Sequence, residues 1–225
     1  MSNGSRGRQR ARRDERNSST FICSAIISPY LLELLKSGID VNLGEQKSLL
    51  RKKYRENRRD LRRDLPYTHL IECPEIENAQ IVASYISYGD EPNTDELNRA
   101  ILESGKKLLL PRITPDSQEP SLDWVFWNGD REQLASRGKV LEPVGLRESN
   151  LALIDVVIAP ALHIDSQGFR LGQGGGYYDR ALSEISAWTV ALIFPEETSE
   201  DLLPRESHDV AVNAYATYEK IVRFI

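Results

Sequence analysis

The chain has 225 residues, which favours one main domain that needs neither disulfides nor a metal ion to stay folded. Hydrophobic residues make up 40% and charged residues 28%, and the net charge of −5 argues against broad nucleic-acid binding. The cysteines Cys23 and Cys73 fit no disulfide scaffold or zinc spacing and indicate a reducing compartment. No apolar run reaches the roughly 20 residues that span a bilayer. We therefore expect a cytoplasmic protein without nucleic-acid or membrane partners.

Residues 1–43 differ from the rest in composition. The first sixteen residues carry six arginines against Asp14 and Glu15, and they contain too few apolar side chains to bury a core. We expect a basic, disordered extension over 1–43, with a short helix possible at 28–36, and a catalytic domain over 44–225. A secretory signal is disfavoured because the apolar part is interrupted and no clear cleavage site follows. A nucleic-acid-binding arm is disfavoured because aromatic stacking partners are missing from its start.

The following segments alternate between helical and extended patterns. A sparse apolar stripe predicts a strongly basic helix over 45–65, stopped by Pro66. Thr94 is a candidate cap for the next helix, and Gly105 is a suitable end for it. The pattern predicts strands over 81–87, 107–113, 122–127, 153–162 and 188–194, and further helices over 95–104 and 178–185. This alternation favours an α/β fold with a largely parallel sheet.

The segment 165–180, DSQGFRLGQGGGYYDR, has the residue types of a phosphate site. Four glycines in five positions permit positive φ and let backbone N–H groups approach an anion. A predicted helix follows and directs its positive end to the same place. Arg170 adds a cation suited to phosphate oxygens, and Asp179 adds a hard oxygen ligand suited to Mg²⁺.

Other interpretations of the glycine segment are weaker. A mobile turn is the usual meaning of a lone glycine cluster, but it has no use for the flanking Arg170 and Asp179. The GKS or GKT ending of a Walker loop is missing. A Rossmann domain would place its glycine loop near the start of the unit, whereas this loop comes late in the chain.

The run RLGQGGGYYDR at 170–180 resembles the RLGxGxGYYD signature of the 5-formyltetrahydrofolate cyclo-ligases, also called methenyltetrahydrofolate synthetases. Five further segments resemble family elements in the family's order and extend the likeness from about residue 46 to the end: KSLLR (47–51), YISYGDEPNT (85–94), LLLPRI (108–113), GKVLEP (138–143) and LPRESHD (203–209). The chain departs from the family pattern where His163 and Ile164 precede Asp165, in place of a common aromatic, and at Gly175, often lysine.

The resemblance implies a fold, a reaction and a set of site residues. The fold is a single-domain, three-layer α/β/α sandwich with a mainly parallel sheet, and we expect a monomer. Such enzymes use MgATP to phosphorylate the formyl oxygen of 5-formyltetrahydrofolate, and ring closure then yields 5,10-methenyltetrahydrofolate, ADP and phosphate. The implied ATP-binding residues are Lys47, Arg51, Arg170, Leu171, Gly172, Gln173, Gly174, Gly175, Gly176, Tyr177 and Tyr178. The folate would contact Ile86, Glu91 and residues 173–177, Mg²⁺ would bind Asp179 and Asp209, and Arg170 and Tyr177 would serve catalysis.

Plainer interpretations exist for several of these residues. Lys47 and Arg51 lie on a basic face of the kind that is usually solvated, and Glu91 could belong to a polar turn. Asp209 could brace the last strand. The neighbouring His208 is itself more typical of a structural residue than of a catalytic one. Trp124 and Trp127 are more typical of core or rim than of a pterin-stacking site. Two alternative functions remain. The protein could be a different enzyme that uses ATP or a phosphosugar, or a regulatory protein that acts through its basic tail.

Overall fold

The computed structural model describes residues 42–61, 65–115 and 118–224, so the basic tail and the helix predicted at 28–36 lie outside the described residues. The helices are α1 (Leu43–Arg58), α2 (Pro74–Glu77), α3 (Asp95–Glu103) and α4 (Tyr177–Glu184), with 3₁₀ turns at Thr68–Glu72, Arg131–Gln133 and Leu151–Leu153. The strands are β1 (Ile81–Ala83), β2 (Lys107–Ile113), β3 (Leu122–Trp127), β4 (Leu134–Arg137), β5 (Val140–Pro143), β6 (Arg147–Glu148), β7 (Val156–Pro160), β8 (His163–Asp165), β9 (Arg170–Leu171), β10 (Trp188–Leu192), β11 (Thr198–Ser199), β12 (Ala214–Ala216) and β13 (Ile221–Arg223). Across these three ranges, none of the helices combines the length and apolar character needed to cross a membrane.

One eight-stranded sheet forms the centre of the molecule, in the order β13-β12-β10-β7-β1-β2-β3-β6. The neighbouring pairs from β12 through β2 are parallel, whereas β13, β3 and β6 join antiparallel at the two edges. A small sheet, β11-β8-β9, and the hairpin β4–β5 lie apart from it. The α/β class and the mainly parallel sheet predicted from the sequence are confirmed.

Both faces of the central sheet are covered, which accounts for its nearly continuous apolar strands. Leu108 and Leu110 of β2 pack in the same cluster as α3, whereas Leu109 between them packs on the opposite side with α4. All three leucines are fully buried. Helix, sheet and helix therefore form three layers with a hydrophobic core on each side of the sheet.

Helix α1 begins earlier and ends sooner than the pattern predicts. Asn42 caps it: its side chain accepts the backbone N–H of Glu45, and the Glu45 carboxylate accepts the N–H of Asn42 in return. The helix ends at Arg58, well before Pro66. Beyond the helix, Tyr67 is buried in the core, where its hydroxyl donates to the carbonyl of Ile193. The predicted extent of 45–65 is therefore wrong at both ends.

Strand β1 is also shorter than predicted, since regular pairing stops at Ala83 instead of continuing to residue 87. Beyond it the carbonyl of Tyr85 accepts hydrogen bonds from the side chains of Thr94 and Asn98 instead of from a neighbouring strand. Thr94 occupies the N-cap position of α3 as predicted, but its hydroxyl is engaged in this contact and makes no side-chain cap. The contact draws the chain out of the sheet toward the pocket described below.

A buried ion pair fastens α1 to the sheet. The guanidinium of Arg58 donates to both carboxylate oxygens of Glu197 and to the carbonyl of Ala161. Glu197 in turn accepts the N–H of Phe194 just beyond β10. The two charged side chains are only 2% and 5% exposed, so neither charge has water to replace a lost partner.

We predict that Glu197→Gln lowers the free energy of unfolding by about 3 kcal/mol, because it leaves a buried guanidinium without its counter-charge. Urea denaturation of the variant beside Glu196→Gln, an exposed neighbouring carboxylate, measures the effect. The control should stay within about 0.5 kcal/mol of the parent protein. Equal stability of the two variants would contradict the assignment of α1's anchor to this pair.

Candidate active site

A pocket of about 330 Å³ opens beyond the carboxyl ends of the parallel strands. Tyr85 and Ile86, which follow β1, form part of its wall, and Pro160 and Ala161 at the end of β7 form another part. Open α/β sheets bind ligands at this edge. Every site residue predicted from the sequence lines this one pocket: Lys47, Arg51, Ile86, Glu91, Arg170, Leu171, Gly172, Gln173, Gly174, Gly175, Gly176, Tyr177, Tyr178, Asp179 and Asp209.

The glycine loop connects β9 to α4 and needs its glycines for two reasons. Gly174 and Gly176 have φ of 107° and 69°, a region that side chains with a Cβ rarely adopt. A Cβ at Gly175 would lie 2.6 Å from the ring of Tyr177, so a larger residue there would displace that ring. The unusual glycine at 175 therefore lets Tyr177 pack over the loop. Gly176 directly precedes α4, whose amino end faces the pocket side of the loop.

A short antiparallel hairpin, β8–β9, lies between the buried strand β7 and the glycine loop. Asp165 at the end of β8 organises this hairpin by accepting the N–H groups of Gln167 and Phe169. The same carboxylate accepts the N–H of Leu203 and a hydrogen bond of 2.7 Å from Arg205. Asp165 thereby ties the strand before the glycine loop to the segment that carries Asp209.

His163, two positions before Asp165, makes an aromatic contact. Its ring stacks on Tyr54 of α1 with centroids 4.0 Å apart and planes within 4°. Burial lowers the pKa of His163 to about 4, so the ring is neutral and serves as a packing group between α1 and β8.

One face of α1 clamps the glycine loop. Arg51 donates to the carbonyl of Gly172 at 3.1 Å, and Arg55 donates to the backbone and side-chain oxygens of Gln173 at 2.8 and 2.9 Å. Arg51 and Arg55 are four residues apart and share a face with Lys47. The sequence analysis missed Arg55, although its spacing from Arg51 could have suggested it.

Arg170 and Asp179 form an ion pair at the inner end of the loop, with 3.0 Å between guanidinium and carboxylate. The Arg170 side chain is 2% exposed, and burial lowers its pKa while Asp179 opposes that shift. Within the described part of the chain its Nε has no hydrogen-bond partner. A buried guanidinium with unused donor capacity fits an anionic ligand.

A second cluster of charge lies opposite the loop. The Lys47 ammonium is 2.8 Å from Glu206 and 2.6 and 2.8 Å from the two oxygens of Asp209. Glu206, His208 and Asp209 offer ligand atoms that all lie within 4.8 Å of one another. The sequence analysis missed Glu206, and His208 is exposed at the rim.

Part of the pocket lining is apolar and comprises Ile86, Pro111, Ile113, Leu122, Val140 and Leu141. Glu91 also lines the pocket, with 6% exposure. Its carboxylate accepts the N–H of Tyr88, and burial raises the pKa of this carboxyl to about 7. Trp124 is buried in the core and absent from the pocket wall, as the packing interpretation predicted.

Two phenol hydroxyls are left unsatisfied beside this carboxyl. Tyr85 and Tyr178 line the pocket, and their buried hydroxyls have no partner among the described residues. Burial raises the pKa of both hydroxyls, and the nearby Glu91 raises each further. Buried donors without partners are uncommon in folded proteins and indicate groups that a ligand would satisfy.

The chain was compared with known families, proteins and structures. A model of the 5-formyltetrahydrofolate cyclo-ligase family matches residues 44–218. The chain belongs to this family. The family comprises ligases, and the enzyme class predicted from the sequence is thereby confirmed.

Two bacterial relatives illustrate the likeness. The 5-formyltetrahydrofolate cyclo-ligase of Mycolicibacterium smegmatis is 31% identical over 145 residues, which cover 62% of this chain and 74% of the relative. The enzyme of the same name from Escherichia coli K12 is 30% identical over 161 residues, 68% of this chain and 86% of the relative.

The fold is shared with solved structures. The 5,10-methenyltetrahydrofolate synthetase of Aquifex aeolicus aligns with a TM-score of 0.65 and 30% identity over 79% of this chain and 92% of its own. The 5,10-methenyltetrahydrofolate synthetase of Mycoplasma pneumoniae shares the fold. It aligns with a TM-score of 0.57 and 17% identity over 75% of this chain and 96% of its own.

We predict that Glu91 makes stability depend on pH near neutrality. Its pKa lies at about 7 in the folded protein against 4.5 when exposed, so the folded state retains a proton that the unfolded state loses. The Glu91 contribution to the free energy of unfolding is complete below pH 4.5 and is lost as pH rises toward 7. The free energy of unfolding of the parent protein, relative to that of Glu91→Gln, should fall by about 2–3 kcal/mol across this window. Urea denaturation at a series of pH values measures it. Parallel pH profiles would contradict the buried neutral carboxyl.

Proposed function

We propose that the protein catalyses the ATP-dependent cyclisation of 5-formyltetrahydrofolate to 5,10-methenyltetrahydrofolate, with release of ADP and phosphate. The observation that supports this most directly is that one pocket combines two chemically different sets of lining residues. Cations and the glycine loop form one set, apolar side chains form the other, and the protonatable Glu91 lies beside Gln173 of the loop. A phosphate donor and a flat, partly polar ring system can meet between them.

The cationic lining binds the nucleotide. Lys47, Arg51 and Arg170 supply positive charge, and residues 171–178 supply the backbone N–H groups and side chains that surround the phosphates. Ile86 of the apolar lining packs against the folate, and the Glu91 carboxyl hydrogen-bonds to the polar edge of the folate. Residues 173–177 of the loop contact both ligands.

The reaction consists of two displacements. The formyl oxygen attacks the γ-phosphorus of ATP and ADP leaves, which gives a phosphorylated formyl intermediate. Nitrogen-10 then attacks the formyl carbon and loses its proton, and the carbon–oxygen bond breaks as phosphate departs. Arg170 stabilises charge on the transferred phosphoryl group, and Tyr177 covers the reacting atoms. Positioning and electrostatic stabilisation carry such a step, with no protein nucleophile.

The carboxylates of the pocket fit Mg²⁺. Asp179 and Asp209 provide hard oxygen ligands, and the oxygens of Asp209 already stabilise one cation, the Lys47 ammonium. When bound, the ion would neutralise charge on the phosphates. Asp179 would turn from Arg170 to the ion, and Arg170 would become free for the phosphoryl oxygens.

The proposal includes a domain boundary and a cellular setting. Residues 44–225 form the catalytic domain, residues 1–43 are an extension without a catalytic role, and the enzyme acts as a cytoplasmic monomer. A truncation that tests the boundary should keep Asn42, because this residue caps α1. Turnover should survive deletion of residues 1–41; its loss would show that the extension serves the site.

The decisive assay follows absorbance of the methenyl-folate product with purified protein, MgATP and 5-formyltetrahydrofolate. An ATP-dependent rise is expected, with a flat trace when ATP is omitted. A flat trace from folded protein that still binds ATP would overturn the folate assignment. It would instead favour another enzyme that uses ATP or a phosphosugar.

We predict that Asp179→Ala lowers turnover at least about tenfold, equivalent to ~1.4 kcal/mol in the barrier. The change removes both a proposed Mg²⁺ ligand and the partner of Arg170. Glu184→Gln, an exposed carboxylate on the same helix, is the matched control and should retain turnover. Unchanged kinetics in the Asp179 variant would remove this residue from the reaction.

A further inference from the structure

The contacts of Lys47 contain a conflict if Asp209 binds a metal ion. Lys47 is 5% exposed and its ammonium has three carboxylate oxygens within 2.8 Å, one from Glu206 and two from Asp209. An ammonium group has three protons, so these contacts use its full donor capacity. A divalent cation on the same Asp209 oxygens would lie close to the ammonium, and two neighbouring cations repel each other. Lys47 must therefore give up at least part of its contact with Asp209.

Glu206 is the group placed to hold Lys47 at that moment. The N–H of Glu206 donates to Asp209 at 2.7 Å and the N–H of Asp209 donates to the carbonyl of Glu206, so one tight turn holds both carboxylates. The Glu206 carboxylate accepts a hydrogen bond of 2.8 Å from the Lys47 ammonium. Its side chain is 40% exposed and has room to follow the ammonium.

We infer that Glu206 is a positioning residue that shares Lys47 with Asp209 and retains the ammonium at the phosphate end of the pocket when Asp209 turns to a metal–nucleotide complex. This inference rests on the proposed function and adds a residue to its machinery. Glu206 acts through Lys47 and touches neither the folate nor the reacting atoms.

The inference makes the role of Glu206 depend on the metal. Without a divalent cation Lys47 keeps both Asp209 oxygens, so Glu206 is dispensable. Its removal should leave nucleotide affinity unchanged, or increase it because a negative charge near the phosphates disappears. With the cation bound, the same removal leaves Lys47 without an anchor. A purely structural role would weaken binding equally in both conditions.

The test is calorimetric titration of a non-hydrolysable ATP analogue into the full-length protein, with excess Mg²⁺ or with EDTA. Glu206→Gln keeps the size of the side chain and removes its charge. Its affinity should fall about tenfold with Mg²⁺, as expected for one lost charge-assisted contact, and should not fall with EDTA. Glu206→Asp should recover part of the Mg²⁺-dependent affinity because it restores the charge.

Glu200→Gln, an exposed carboxylate in the same segment, is the matched control and should bind like the parent protein in both conditions. Equal loss in both conditions, or no loss with Mg²⁺, would overturn the role of Glu206 while the proposed function stands. If the parent protein binds no nucleotide in either condition, the proposed function fails and this inference fails with it.

Discussion

The buried pair between Arg58 and Glu197 determines where the rest of the site can form. Two charges removed from water are tolerated because each satisfies the other and because Ala161 and Phe194 provide further backbone partners. These partners lie just beyond β7 and β10, so the pair docks the end of α1 at the carboxyl edge of the parallel sheet. Once that end is anchored, helical geometry determines where the preceding turns lie. The cations on one face of α1 then contact the glycine loop and the turn that carries Glu206 and Asp209. No local sequence pattern marks these contacts.

A second buried carboxylate joins the parts of the site that arrive from later in the chain. Asp165 holds the hairpin before the glycine loop and also binds Leu203 and Arg205, and Arg205 lies over the ring of Phe169 at 3.8 Å. The loop and the Asp209 turn therefore face each other across a set distance. Because both anchors are buried, the charged residues of the pocket are held before any ligand arrives, which limits the reorganisation that binding requires.

The charges within the pocket are paired with one another in a way that ligands can redistribute. Arg170 pairs with Asp179, and Lys47 pairs with Asp209 and Glu206. Each pair keeps a desolvated charge satisfied, and each contains one group suited to phosphate and one suited to a divalent cation. The proposed metal–nucleotide complex would replace the contacts of Arg170 with Asp179 and of Lys47 with Asp209 at once, while Glu206 would keep its contact with Lys47. An anion or a cation alone would leave one partner of each pair unsatisfied.

Much of this protein could be predicted from local sequence. The alternation of helical and extended segments predicted an α/β fold with a mainly parallel sheet, because parallel strands need crossover helices that cover the faces of the sheet. The glycines beside Arg170 predicted a loop with positive φ, which Gly174 and Gly176 adopt, because few other residue types can form it. Only the tertiary structure decided that α1 stops at Arg58, that Arg55 clamps the loop and that Glu206 shares Lys47. Lys47 and Glu206 are 159 positions apart, and a contact between such distant residues leaves no local pattern, since either charge alone suits any solvated surface.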